Sequence, residues 1–299
     1  MAAMNRRELL TAAGVAATAP VLPGAPVRAA DAAKTTPAKF KLGTISYNIG
    51  ATWDLATLLR ACRAAGFEMV ELRTGHAHKV EPTLTAVERR DVKKQVADSG
   101  VTLWGLGSTC EFHAADAAEV KKNIENCRAF CKLAADVGAR GVKVRPNGFP
   151  KGVPEARTLE QIGRALRECG KAAADAGVEI WLEVHGPGTQ SPPNIRAIID
   201  HCGHKSVGVC WNSNPTDVKD GSIAESFALL KKDIRSCHIN ELTSGYPYKE
   251  LFAGLRGIGY DRVTLMELAG VPEAADAREP AAALRFMRYY KALWTELVG

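Results

Sequence analysis

From residue 41 onward the chain alternates between two hydrophobic rhythms. Short apolar runs bounded by glycine, proline or a charged side chain give way to longer stretches in which apolar residues recur at helical spacing. The first rhythm is that of buried strands and the second that of amphipathic helices. Strands are expected at 41–47, 67–73, 101–108, 141–145, 180–185, 207–212, 234–238 and 263–267. A helix is expected over 54–65, capped by Asp54 and stopped at Gly66, and another starts at a capping box made by Thr85 and Glu88. A long helix covers 116–137 and stops at Gly138, and the next opens on a Thr158/Gln161 capping box and runs to Gly177. Shorter helices follow near 194–201, 222–232 and 248–255, and the last covers 279–297. Strictly alternating strands and helices imply parallel βαβ units, and eight of them imply a closed (β/α)8 TIM barrel rather than an open doubly wound sheet. No G-x-G-x-x-G follows the first strand, which removes the main signature of a dinucleotide fold.

The strand at 180–185 ends in chemistry. Ile180-Trp181-Leu182-Glu183-Val184-His185 breaks at Gly186-Pro187-Gly188, and alternation places Glu183 and His185 on one face. The later strands end comparably in Asn212, His238 and Glu267, at steps of 29, 26 and 29 residues from Glu183. One strand, one helix and two short loops consume about that length in a barrel of ~250 residues, so the four groups meet at one mouth. Three oxygens and one imidazole nitrogen form a hard donor set, suited to one divalent ion: Mn²⁺, Mg²⁺ or Co²⁺, with Zn²⁺ admissible.

Composition narrows the setting. The chain has 299 residues, 46% hydrophobic and 24% charged, which suits one large globular domain over 41–299. Its net charge of +6 falls to +4 once Arg6, Arg7, Arg28 and Glu8 are set aside, and the remaining charges are interspersed. Such mild, scattered basicity gives no footprint for nucleic acid. Residues 1–29 read as a bacterial export signal: Arg6-Arg7, an apolar run over 11–22, then small residues ending at Ala29. The paired arginines indicate the twin-arginine route, hence a periplasmic or otherwise exported protein whose mature chain begins at Ala30. The apolar run is shorter than the ~20 residues of a membrane span. Residues 30–40 read as a polar linker. The eight cysteines include no C-x-x-C and sit within apolar patterns, so they read as buried thiols acting as small apolar groups.

Leu182-Glu183-Val184-His185, Val209-Cys210-Trp211-Asn212, Cys237-His238-Ile239-Asn240 and Leu265-Met266-Glu267-Leu268 together resemble the xylose isomerase-like barrel superfamily. The resemblance covers 41–299 and lies nearest to the sugar phosphate isomerase/epimerase branch, which is similar to the tagatose and psicose 3-epimerases. It implies one divalent ion held through Glu, Asp, His and Glu on strands five to eight. Glu183, His238 and Glu267 fall on ligand positions, and Asn212 stands where the family usually has Asp. Asn keeps a carbonyl oxygen and loses a charge, so weaker ion binding, or a structural role for Asn212, is expected. The implied activity is isomerisation or epimerisation of a sugar or keto-sugar by proton abstraction beside a carbonyl, through an enediolate. Glu183 and Glu267 would both ligate the ion and exchange the proton.

Other polar loop residues are candidates for touching a small carbohydrate. His76, His78 and His113 follow strands two and three, His185 shares a face with Glu183, Asn240 follows strand seven, and Arg145 offers a planar fork for phosphate or carboxylate. Lys143, deeper in strand four, is expected to pair with Glu71 or a neighbour, and Glu111 and Arg73 to pair with each other or with loops. Trp104, Trp181 and Trp211 read as barrel core. A lyase or dehydratase acting on 3-keto glycosides or inososes shares the first chemical step, and a non-catalytic sugar binder would also suit the scaffold. A three-zinc DNA-repair endonuclease would need further His and Asp ligands between His238 and Glu267, and 241–261 lacks that pairing. Export favours unphosphorylated sugars, and a homo-oligomer is compatible with the chain.

Overall fold

A computed structural model describes residues 37–270 and 280–299. Eight parallel strands close into a barrel in chain order. They are β1 (Lys41–Ile45), β2 (Met69–Arg73), β3 (Thr102–Glu111), β4 (Gly141–Arg145), β5 (Glu179–Glu183), β6 (Val207–Asn212), β7 (Ile234–Ile239) and β8 (Val263–Met266). Between them run α1 (Leu55–Ala65), α2 (Ala86–Ser99), α3 (Ala117–Val137), α4 (Glu155–Ala176), α5 (Pro192–Cys202), α6 (Ala224–Leu230) and α7 (Tyr248–Gly257), and α8 (Pro280–Val298) closes the ring. The chain is therefore a (β/α)8 TIM barrel, as the alternating pattern predicts. The export signal and residues 30–36 of the linker lie outside the described residues. Phe40, the last linker position, is buried against Phe252, Tyr260 and Trp294. Among the described residues no helix is long and apolar enough to cross a membrane.

Local signals set most helix ends. The Asp54 carboxylate accepts the Thr57 N–H, the Thr85/Glu88 capping box forms, and Gly66, Gly138 and Gly177 end their helices in the left-handed region. One signal misled. Thr158 and Gln161 do not open α4, which begins a turn earlier at Glu155 after Pro154. Gln161 instead donates through Nε2 to the carbonyls of Phe112 and Ala114, tying α4 to the loop after β3. The expected start of the last helix at Glu279 lies outside the described residues. All eight cysteines are free and buried.

Two apolar regions hold the molecule together. The larger lies between sheet and helices; the smaller fills the barrel interior with Ile45, Trp104, Trp181, Cys210, Val263 and Leu265. Trp104 is the extra residue of a bulge, since Val70 pairs with Leu103 while Glu71 pairs with Gly105. Its ring stacks on Trp181 with centroids 5.3 Å apart, and its Nε1 donates to Ser236 Oγ at 3.2 Å. Trp181 fits only because its neighbours lack side chains: a Cβ at Gly105 or Gly141 would stand 2.4 Å or 2.7 Å from the indole. Below it the Trp181 Nε1 donates to Glu179, which Arg262 and Arg140 also bind. Trp211 faces outward, against Phe227. The indole pair is thus the floor on which the polar mouth rests.

Removing that floor should be costly. Trp181→Ala is expected to lose about 3–5 kcal/mol of stability. Denaturant unfolding of the two proteins side by side measures this, and a loss below ~1 kcal/mol would show that the two glycines and Trp104 can close the space.

Candidate active site

The upper layer of the interior, at the strand C-termini, is entirely polar. Glu183 ends β5 and is 2% exposed; its Oε2 accepts from Lys143 Nζ of β4 at 2.8 Å. Parallel register sets Lys143 beside Gly107, and that glycine leaves room for Glu71, whose Oε1 would lie 2.9 Å from a Cβ there. His238, fully buried on β7, places Nδ1 2.8 Å from Glu267 Oε2 and 3.5 Å from Glu183 Oε1. Its other nitrogen, Nε2, lies 3.4 Å from Glu71 Oε2. Glu267 follows β8, anchored by its N–H donating to the Ile239 carbonyl. Asn212, at the end of β6, donates through Nδ2 to Glu183 Oε1 at 3.2 Å, while its Oδ1 is buried without a partner.

One donor atom each from Glu183, His238 and Glu267 lie within 4.8 Å of one another. Two carboxylate oxygens and an imidazole nitrogen in that volume fit a divalent ion, and the orphaned Asn212 Oδ1 fits a fourth ligand. A carboxylate facing Nε2 holds a proton there and leaves Nδ1 as the nitrogen turned toward the ligand side, so Glu71 serves to orient His238.

Charges are held by mutual contact. Burial alone would push the Glu183 carboxyl up, but Lys143 and then His238 hold it well below the usual carboxylate range. Burial opposes charge on Lys143, yet Glu183, Glu71 and Glu267 raise its pKa. Burial likewise opposes charge on His238, and contact with Cys210 and the Glu267 and Glu71 carboxylates moves its pKa well above that of ordinary imidazole.

The remaining sequence candidates are distributed around this cluster. Near the β1 and β2 ends, His76 Nδ1 bonds to Ser46 Oγ at 2.9 Å and the ring stacks on Tyr47, over which Arg73 also lies. Burial and then Arg73 push the His76 pKa down to about 4, so it is neutral at pH 7. His78 is buried, bonded to the Arg73 carbonyl at 2.9 Å, and is part of the wall. Arg145 pairs with Glu111 and keeps Nε buried and unpaired, while Arg73, expected to pair with Glu111 or with a loop, donates to the Thr74 carbonyl. His113, after β3, and His185, after β5, are half-buried and each has an unpartnered Nδ1. Burial lowers the His185 pKa, and Arg145 and Lys143 add to this against the pull of Glu183. Asn240 Nδ2 donates to the Ser213 carbonyl at 2.9 Å, so its amide ties two loops together.

Two members of the polar layer lie outside strands five to eight. Lys143, expected to pair within the barrel with Glu71 or a neighbour, pairs with its neighbour Glu183, and Glu71 faces His238. Each sits at the inward position near the end of its own strand.

The loop beyond Asn212 is braced by a second buried group. Asp217, 1% exposed, accepts the Asn214 N–H at 2.9 Å and the Tyr246 hydroxyl at 3.0 Å, while its Oδ1 has no partner. Asn214 in turn donates to the carbonyls of Val184 and Asn212, and Tyr246 accepts from Trp211 Nε1. Burial pushes the Asp217 carboxyl up to about 7.

A family model described as xylose isomerase-like TIM barrel matches residues 59–290. No curated protein matches the sequence. Among solved structures the chain is similar to D-psicose 3-epimerase determined in the presence of D-fructose, with a TM-score of 0.72 at 16% identity, covering 87% of this chain and 100% of that one. It is similar also to the 3-keto-D-glucoside 4-epimerase of E. coli, with a TM-score of 0.69 at 16% identity over 86% of this chain and 100% of that one. A third, the IolI protein with a bound zinc atom, gives a TM-score of 0.71 at 18% identity, covering 87% and 98%. At these identities the likeness is one of fold.

The raised Asp217 pKa has a defined consequence. Between ~4, the unfolded value, and about 7 the folded state holds a proton that the unfolded state has lost, so stability falls as pH rises across that window. Asp217→Asn should match the parent near pH 4 and exceed it by on the order of 2 kcal/mol at pH 8. Unfolding curves at the two pH values check this, and a difference independent of pH would contradict it.

Proposed function

The chain belongs to the xylose isomerase-like TIM barrel family, and from that premise we propose that it is a divalent-cation-dependent isomerase or epimerase of a sugar or keto-sugar. The observation that carries the reading is the convergence of Glu183, His238 and Glu267 at the strand C-termini, with donor atoms within 4.8 Å of one another. Epimerase neighbours sharing the fold support it. Glu183, His238 and Glu267 would hold the ion, with Asn212 Oδ1 as the fourth donor. When bound, the ion supplies a positive charge that makes a proton beside a substrate carbonyl removable.

The chain's own groups supply the proton movements. Glu183 from β5 and Glu267 from the end of β8 both reach the Nδ1 side of His238, at 3.5 Å and 2.8 Å. Two carboxylates brought to one volume from different strands can divide the proton transfer, one removing a proton and the other returning it. Glu183 is kept ionised by Lys143 and is thus ready to accept a proton. Glu267, with 16% of its side chain exposed, is the more open of the two. His76, His113, His185 and Arg145 surround the opening with ring nitrogens and a guanidinium suited to sugar hydroxyls. His76 in particular is a neutral hydrogen-bonding group rather than an anion clamp. The signal at 1–29 would deliver the protein to the periplasm, where the available substrates are unphosphorylated sugars and glycosides.

The test is proton exchange with solvent. In D₂O, with Mn²⁺ or Co²⁺ supplied, the protein should exchange the C–H beside the carbonyl of a ketohexose or a 3-keto glycoside, as read by loss of its NMR signal. Glu183→Gln and Glu267→Gln should each slow that exchange by about 10²–10⁴-fold. Undiminished exchange in both variants would remove the two carboxylates from the role.

A further inference from the structure

The polar layer contains a cation of its own. Lys143 Nζ lies 2.8 Å from Glu183 Oε2, and both side chains are almost completely buried, 5% and 2% exposed. The pair occupies one of the two oxygens of a carboxylate assigned above to the ion. The other, Oε1, receives the Asn212 amide at 3.2 Å and lies 3.5 Å from His238 Nδ1. Both oxygens of Glu183 therefore already have partners supplied by the protein. Asn212 is turned with its donor toward Glu183 and its acceptor, Oδ1, buried without a partner.

We propose, resting on the ion site argued above, that Lys143 and Asn212 together make this a deliberately weak and exchangeable divalent-cation site. With His238 Nδ1 given to an ion, the charged groups left around the ion position are the carboxylates of Glu71, Glu183 and Glu267 and the ammonium of Lys143. An aspartate at 212 would add one negative charge, and a neutral residue at 143 would uncover one. This chain has neither, so two positions independently reduce the attraction for a doubly charged ion. Coulomb attraction at short range in a water-poor pocket is large, and each unit of charge withheld is felt directly in affinity.

Asn212 also links the two states of the site. In the arrangement seen, Nδ2 satisfies Glu183 Oε1 and Oδ1 bears the cost of a buried acceptor with no donor. A half-turn of the amide presents Oδ1 to an ion beside Glu183 and moves Nδ2 away from that carboxylate. An aspartate cannot make this exchange, because it has no donor with which to satisfy Glu183 when the ion leaves. The site is thereby stable in both states: Lys143 neutralises Glu183 throughout, and the amide serves as donor or ligand as required. A neutral ligand and an internal ammonium suit a protein that acquires and loses its ion with the surrounding supply.

Calorimetric titration of Mn²⁺ and of Zn²⁺ into the chelator-stripped full chain tests this without reference to turnover. Asn212→Asp and Lys143→Met should each bind Mn²⁺ at least ~10-fold more tightly than the parent. Asn212→Asp preserves side-chain size, so it remains informative if Lys143→Met folds poorly, which circular dichroism reports. Affinities equal within about threefold across parent and both variants would overturn the proposal while leaving the ion site standing. No binding by the parent or by either folded variant would overturn the site and the proposal together.

Discussion

The mouth of this barrel depends on ion pairing out of reach of water. Three carboxylates, an ammonium and an imidazole are packed above an apolar floor, and burial by itself opposes the charge of Glu183, Lys143 and His238. They persist because every charge is answered: Glu183 by Lys143, Glu71 and Glu267 by His238. A cluster of this kind adds little net stability over a well-packed apolar substitute, since desolvation offsets most of the Coulomb attraction. Its value is geometric. Each side chain has only one arrangement in which its charge is met, and in that arrangement the ion-binding atoms face one another.

The floor and the cluster constrain each other. Trp181 requires Gly105 and Gly141 as neighbours, and Glu71 requires Gly107, so three glycines on two adjacent strands clear the volume that one indole and one carboxylate occupy. The bulge at Trp104 adds the second indole and shifts the β2–β3 register by one residue above it. The lower end closes with Glu179 and its arginines. The interior is accordingly a charged base, an aromatic middle and a polar top, and the top lies at the strand ends whose loops carry His76, His113 and His185.

Relative to the ligand set that the family resemblance implies, this chain differs by a neutral amide at 212. The structure places an internal cation at 143 within reach of the same carboxylate. Both features act in the same electrical direction and on the same residue, Glu183. The loop after Asn212 is independently stiffened by Asp217 and Asn214, so the amide is presented from a fixed backbone and only its side chain is free to turn.

Much of this was legible from residues alone. The alternation of runs specified strand count and order, because a parallel barrel needs every strand buried on both faces and every helix apolar on one. Period-two alternation near the strand ends placed Glu183, Asn212, His238 and Glu267 at the same height, for spacing in a repeating βα unit translates directly into position around a ring. Which nitrogen of His238 faces which carboxylate, that Lys143 chooses Glu183 over Glu71, and that Arg145 chooses Glu111 could not be read there. Those choices depend on the shear between strands, on a bulge that shifts register by one residue, and on glycines whose importance lies in what their neighbours need. Thr158 shows the same limit in a helix: its local capping pattern is sound, but packing of Gln161 against the β3 loop carried the helix start back to Glu155. Pattern along a chain determines which side chains share a face; contact between faces, where charge and volume must balance across strands distant in sequence, exists only once the barrel has closed.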